Sequence, residues 1–485
     1  MRKTFIINLA LLLFLNLLVK PFWIFGIDVS VQNAVGEHAY GFYFSLLSFS
    51  VMLNILLDLG IENYNKRNIA QNHQLLSKHV SNVIALKLIL SVAYFAISVL
   101  FAIIIGWEFD KLKLLFVLLI NQALSSFVLY FRSNISGLQL FRTDSLISVV
   151  DRLLMIVFCS FLLWGNITDS KFQIEWFVYA QTAAYFITAL IAFFVVYSKC
   201  EFIKLRFDRS FFIVFLKQSY PYALLILIMA CFNRIDPVFL DRLLPDSIGS
   251  HQAGIYAQGF RFLEAATMFG YLFGGLLIPM FSKMIKQNEP LGQLVQLSFL
   301  LLAVPAIIIA IVSGLYRNEV FELFYPNHDP VSPLIFAILM VGFIFISTGT
   351  YIFGSLLTAN GSMKPLNIIA GSALIINIIL NLILVPKHMA LGSAISSLTT
   401  QIFFAVSQLI LVIRTFKFQT NFKLIGLLVL FTSGVGGLGM ICKEYINNWI
   451  VGLFLVVTLS FFLAIVIRLI NLKALYQIVK SKDEN

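Results

Sequence analysis

Charge is scarce in this chain. Of its 485 residues only 12% are Asp, Glu, Lys or Arg, while 60% are hydrophobic. A soluble chain of this length needs polar helix faces, and that shortage excludes them. Cysteine is scarcer still. Cys159, Cys200, Cys231 and Cys442 lie in or beside apolar runs, with no CxxC and no framework spacing, which argues against a disulfide scaffold and against a metal site. The six histidines are dispersed, and neither a P-loop GxxxxGK[ST] nor an HExxH occurs. These absences speak against an ATP-driven pump and a metalloenzyme, so no metal or cofactor is expected.

What the chain does have is apolar runs of about 20 residues following one another from end to end, the length that crosses a hydrocarbon core of about 30 Å. They lie near 5–19, 40–61, 80–106, 114–131, 146–164, 175–197, 211–232, 253–281, 294–315, 331–357, 366–385, 391–413, 424–442 and 448–470. The fold class is therefore all-α: a polytopic membrane protein of about fourteen transmembrane helices. The first run resembles a signal peptide, but Lys20 and Pro21 follow it in place of a small-residue cleavage site, so it is read as the first span. The outer connections, such as Pro21 to Ala39 and Asn233 to Gln252, are short, a length typical of connectors rather than catalytic domains. That weighs against a membrane-embedded glycan polymerase or ligase, and no enzyme is expected.

The net charge of +11 comes from bases that sit in short loops, as orientation in a membrane requires, so nucleic-acid binding is not expected. With a cytoplasmic N-terminus, about 22 Lys and Arg fall in inner segments against about 9 in outer ones. Among the inner bases are Arg2, Lys3, Lys66, Arg67, Arg132, Arg142, Lys204, Arg206, Lys283, Lys473, Lys480 and Lys482. Both termini are predicted to be cytoplasmic.

The chain echoes itself. Gly36 to Tyr43 and Gly249 to Tyr256 both read GxHxxGxY, 213 residues apart, each opening a span. A turn that needs glycines before a helix would explain one such motif; its place at the same boundary in two halves favours a duplication, as in transporter folds built from repeats. The predicted organisation is a six-helix half over 1–198, a basic amphipathic linker over 199–211, a second six-helix half over 212–415, and two added helices with a tail over 416–485. His38 and His251, at the loop-to-helix junctions, read as turn or cap residues.

Ionisable residues in or near spans are the remaining chemical signals, because a charge at mid-bilayer must pair, snorkel or face water. Arg261 and Glu264 stand about two turns inside their span and share a helix face with Met268 and Tyr271, so they can pair and project into protein or a wet cavity. Lys87, Asp151 and Arg152 are read either as pathway groups or as snorkelling or paired residues. Asp58 closes the second span with Glu62, and Arg234 and Asp236 close the seventh. For Asp58 a helix-end charge, and for Arg234 and Asp236 a structural pair, stand beside a role in gating or coupling.

The order of several motifs resembles bacterial polysaccharide biosynthesis proteins of the O-antigen flippase type, within the multidrug/oligosaccharidyl-lipid/polysaccharide (MOP) exporter superfamily. The similar stretches are Tyr40-Gly41-Phe-Tyr43, Asp58-Leu-Gly60 with Arg67 and Ala70, Gly254-Ile-Tyr256, Arg261-Phe-Leu-Glu264 with Pro279, Gly354 to Gly361 with Lys364, Asn377 to Pro386, and Leu391-Gly-Ser-Ala394. The resemblance implies a flippase in the bacterial inner membrane that carries a polyprenyl-diphosphate-linked oligosaccharide from the cytoplasmic to the periplasmic leaflet. Alternating access then asks for a cavity with bases for the diphosphate and polar groups for the sugars. Implied partners are the lipid-linked oligosaccharide, membrane lipids, a coupling H+ or Na+, and polysaccharide polymerase and chain-length proteins. Acids nearly match bases among the intramembrane candidates, so a cation-coupled multidrug exporter or a lipid II flippase of the same superfamily stays open.

Overall fold

The computed structural model describes residues 14–62, 65, 69, 74, 76–165, 170–200, 209–419 and 421–469, excluding the side chains of 78, 110, 209–222 and 247. The first part of the expected span 5–19, most of the linker 199–211, the C-terminal tail and the bases Arg2, Lys3, Lys66, Arg67, Lys204, Arg206, Lys473, Lys480 and Lys482 lie outside the described residues.

Every span is helical for the reason that governs any backbone in lipid: a helix pairs its own N–H and C=O groups where no water can. In chain order the helices are α1 (14–35), α2 (37–52), α3 (Leu76–Ile105), α4 (Phe109–Gly137), α5 (Phe141–Trp164), α6 (Ile174–Tyr197), α7 (Arg209–Leu243), α8 (Asp246–Lys286) and α9 (Gly292–Leu315). They continue with the short α10 (Arg317–Phe324), α11 (Ser332–Ala359), α12 (363–388), α13 (390–416), α14 (Phe422–Tyr445) and α15 (Trp449–Val466).

Among the described residues, twelve helices are long and apolar enough to cross a membrane. The expectation of about fourteen differs at two places, and one residue accounts for each. Phe14–Met52 is a single run broken at Gly36, whose φ of 80° and ψ of 169° separate α1 from α2. Met363–Phe416 is a single run broken at Met389, with φ 50° and ψ −132°, between α12 and α13. At 54 residues the second run is far longer than one crossing, so a reversal is required. It is made almost without a loop: a β-carbon on Gly392 would meet the Leu384 carbonyl, so the end of α12 and the start of α13 abut.

Two connections that the sequence reading places on the outer side are shorter than expected. Pro21 to Ala39, read as a loop, is helical up to Gly36, and Trp23–Asp28 is wound as a π-helix. Pro21 does not stop the helix; it lies just before the widened turn. Between Asn233 and Gln252 only residues 244–245 lie outside α7 and α8.

The chain divides into two compact units, Met1–Ala257 with Ile378–Ser393, and Gln258–Asn377 with Ala394–Asn485. The first packs α4 and α5 on α6, and α2 on α7 and α4. One of its cores joins Val80, Val83 and Leu86 of α3 to Tyr130, Phe131 and Ile135 of α4, Ile147 of α5, and Ala192 and Val196 of α6. In the second, α9 packs on α11, α14 and α15 through Val304, Ile308, Val312, Phe431, Val435 and Val456. Large apolar side chains on the outward faces, among them Ile104, Phe116, Ile368, Val429 and Phe454, are exposed. That is the pattern of a protein whose surroundings are apolar.

Candidate functional site

The two copies of GxHxxGxY meet. A β-carbon on Gly41 would overlap the Ser250 carbonyl and the Gly254 nitrogen, and one on Gly254 would overlap the Glu37 carbonyl. The second glycine of each motif thus sets a backbone-to-backbone crossing of α2 with the start of α8. The first glycines do different work: Gly36 supplies a positive φ, and Gly249 lies against the Asp241 and Leu240 carbonyls across the α7–α8 turn. The histidines part company as well. His38 is exposed, whereas His251 Nδ1 lies 3.3 Å from a Glu37 carboxylate oxygen at the crossing. Of the closing tyrosines, Tyr43 accepts from Gln181 at 2.9 Å and Tyr256 donates to Asp236 at 2.9 Å.

Asp236 is buried, and its second oxygen accepts from Asn381 Nδ2 at 2.8 Å; Ser393 donates in turn to Asn381 Oδ1 at 2.8 Å. Four helices, α7, α8, α12 and α13, are tied through one carboxylate. Arg234, two residues before Asp236, is half-buried on another face of α7. Asp241 lies further along α7 and is also buried. It accepts from Trp107 Nε1 at 3.0 Å, from Lys111 at 3.1 and 3.0 Å, and from Ser250 at 2.8 Å. Asp28 in α1 takes the Tyr40 hydroxyl on both oxygens, at 2.8 and 3.1 Å.

The predicted charges fall into separate places. Lys87 is 1% exposed and donates to the Leu57 carbonyl at 3.0 Å and to Ser126 at 2.7 Å, with Asp58 at 3.7 Å. Asp58 itself accepts from the Gly60 and Glu62 nitrogens, both at 3.2 Å, where Leu59 and Gly60 have positive φ. Lys87 therefore caps the carbonyl end of the short 3-10 turn Asn54–Leu57, and Asp58 caps the amides that follow. Exchanging Lys87 for methionine leaves the Leu57 carbonyl without its charged donor. The expected cost is about 2 kcal/mol, read as a lower melting midpoint in detergent, with Lys87→Arg closer to the wild type.

Arg261 and Glu264 pair directly, as their i, i+3 spacing predicts; Arg261 is buried and Glu264 half-buried. Their shared face does not stay covered, because Tyr271 is exposed. Arg152 stands with Asp151, Nε to carboxylate 3.9 Å, and lies over the rings of Trp23 at 5.7 Å and Tyr185 at 5.8 Å. Among the described residues no group of three or more His, Cys, Asp or Glu could hold a metal ion.

Sequence reasoning gave no site role to Asp28, Lys111 and Lys20. Each had a visible signal, a charge at the end of or within an apolar run, but the reading placed all three outside the spans. Asn381 and Ser393 were quoted within motifs and given no role.

The sequence matches the model of one protein family, described as polysaccharide biosynthesis protein, over residues 8–285, more than half of the chain. The chain belongs to that family. Solved structures of similar fold are MOP superfamily transporters. One is the lipid II flippase MurJ in an inward closed conformation, with a TM-score of 0.68 at 15% identity, covering 95% of this chain and 98% of that one. Another is an inward-facing multidrug resistance transporter of the MATE family, with a TM-score of 0.62 at 15% identity, covering 82% and 96%. A third is a MOP superfamily transporter from Pyrococcus furiosus, with a TM-score of 0.56 at 14% identity, covering 84% and 95%. No curated protein matches. At these identities the likeness speaks for the fold: this polysaccharide biosynthesis protein is a multi-pass membrane protein with the MOP transporter architecture.

Proposed function

We propose that this family member is a flippase that moves a polyprenyl-diphosphate-linked oligosaccharide from the cytoplasmic to the periplasmic leaflet of a bacterial inner membrane by alternating access. It supplies a surface polysaccharide such as O-antigen, capsule or exopolysaccharide. The observation that carries the reading is the family membership, joined to a MOP fold whose buried charges sit on membrane-spanning helices. The chain is read as two six-helix halves, 1–198 and 212–415, joined by 199–211 and followed by two helices in 416–485, with both termini cytoplasmic. It performs no catalytic step of its own and hands its cargo to polymerase and chain-length proteins.

Arg261 meets the anionic cargo and Glu264 tunes it, while Asp236, with Asp58 and Arg234, serves gating or coupling to H+ or Na+. The deciding experiment is translocation of a fluorescent polyprenyl-diphosphate oligosaccharide in proteoliposomes. Wild type is expected to translocate it, and Arg261→Ala, compared at matched amounts of folded protein, to lose at least about tenfold in rate, the loss of one charge-assisted contact. Glu264→Gln keeps the Arg261 contact in weaker form and falls between. Failure of the wild type on several glycan lipids would overturn the reading, and export of cationic drugs by the same vesicles would replace it with the multidrug alternative.

A further inference from the structure

The middle of α11 is wound too wide. Ile346–Gly354, nine residues reading ISTGTYIFG, form a π-helix with α-helical turns on both sides and no proline among them. Such geometry is rare beyond a single turn and needs a cause. Here the cause is packing within the second unit. Gly349 stands against α13, where a β-carbon on it would lie 2.7 Å from the Ala405 β-carbon. Gly354, five residues on, would put one 3.6 Å from both amide atoms of Gln408. On the other flank a β-carbon on Gly270 of α8 would fall inside the Tyr351 ring, and one on Gly274 would lie 3.4 Å from Tyr351 and Ser355.

That packing leaves polar groups unmatched. Gln408 is 1% exposed, and among the described residues its Oε1 has no donor, although it lies 3.6 Å from the β-carbon position of Gly349. The Ser347 hydroxyl, equally buried, has no partner either. A buried acceptor that faces a glycine is costly as it stands, and a donor put in that glycine's place would satisfy it. Both chain neighbours of Gly349 are threonines. Thr348 already donates to the Ile344 carbonyl at 2.8 Å. Thr350 is half-buried and stands about 100° round the helix from Gly349.

A wide turn acts as a residue inserted into an α-helix, so it can travel along the helix without unravelling it, and the stretch it passes slips by one position. Travel toward the N-terminal end of α11 brings Thr350 to the place where Gly349 now faces α13, and the narrower α turn left behind makes room beside Ala405. The bare backbone at Gly349, Gly354, Gly270 and Gly274 lets the rotation pass. Tyr351, whose electrostatic neighbours on α8 are Thr267 and Tyr271, then turns out of its slot against Gly270. We infer that the π-segment of α11 is a two-register switch, in whose displaced register the Thr350 hydroxyl donates to Gln408 Oε1. Gln408 and Thr350 are positioning residues that stabilise that register. The use of the switch in transport rests on the flippase reading; the switch itself does not.

The test is hydrogen exchange in the detergent-purified full chain, read on peptides covering 346–354 and, for comparison, 335–344 of the same helix. In wild type the π-segment is expected to exchange at least about tenfold faster than the flank. Gln408→Met and Thr350→Val nearly keep the shape and remove the bond that only the displaced register makes. Each is expected to slow exchange of 346–354 about tenfold at an equal or higher melting midpoint, and the double variant no further than either alone. Gln408→Asn, which keeps the amide, is expected to stay within about threefold of wild type. A purely structural Gln408 behaves differently, since losing an unmatched amide would leave exchange and transport as they are. Wild-type exchange of 346–354 as slow as the flank, or folded Gln408→Met exchanging like wild type, would overturn the switch. The wild-type comparison decides if a variant fails to fold. Proteoliposome translocation of the glycan lipid separates the two readings: slowed exchange with normal translocation in Gln408→Met would overturn the part of the switch in transport. The expected exchange in a chain that translocates no glycan lipid would sink the flippase reading and keep the switch.

Discussion

Gly254→Val is expected to remove translocation and to lower the melting midpoint strongly. The atom that a β-carbon on Gly254 meets is the Glu37 carbonyl, and its partner Gly41 would meet the Ser250 carbonyl and the Gly254 nitrogen. Overpacking a close-packed interior costs about 1–3 kcal/mol when side chains can give way. Here the obstruction is main chain on both sides, so α2 and α8 have to separate, and the His251 contact with Glu37 goes with them. Gly254→Ala is expected to lie between. The control is Gly426→Ala on α14, where nothing lies within 4 Å of the added carbon and no change is expected. Thermal melting in detergent and proteoliposome translocation measure both. A Gly254→Val chain that melts and transports like wild type would mean that the crossing is absent in solution.

Asp236→Ala is expected to have the second large effect. It strips the acceptor from the Tyr256 hydroxyl and the Asn381 amide, both fully buried, and loosens the Ser393 link behind Asn381. Taking this charged acceptor from two buried donors costs about 2–4 kcal/mol, a large share of a membrane protein's margin. Asp236→Asn keeps the volume and one acceptor, so its stability loss is expected to be about half as large. The pair separates two roles. If Asp236→Asn folds near normally and yet stops transport, the carboxylate charge itself is needed, as gating or coupling demands. If transport falls only in step with melting, the network is a brace.

How legible these features were depended on chain separation. Arg261 and Glu264 were readable because a helix brings i and i+3 together whatever surrounds it. Lys87 was visible as a charge inside an apolar run, but not its purpose, since its partners Leu57 and Ser126 lie 30 and 39 residues away on other elements. The Asp236 to Asn381 contact spans 145 positions. Arg234 and Asp236 read as a pair because they are near each other in sequence, whereas two residues apart on a helix places them on different faces. Lys20 and Pro21 read as the end of a span, since proline usually ends a helix, and the π turn that lets α1 continue leaves no mark in composition.

By itself the sequence determined the solvent and the secondary structure. A chain this apolar with so few charges can satisfy its backbone in lipid only as helices, and its motifs in order marked the family. The repeated GxHxxGxY could be counted from the letters, but that its glycines face each other across one crossing was decided only in three dimensions. The same holds for the carboxylate ties of Asp236 and Asp241 and for the wide turn of α11 against Gln408. A helix propagates its own geometry for a turn or two, while the partner of a buried charge is whichever distant helix packing carries to within about 3 Å.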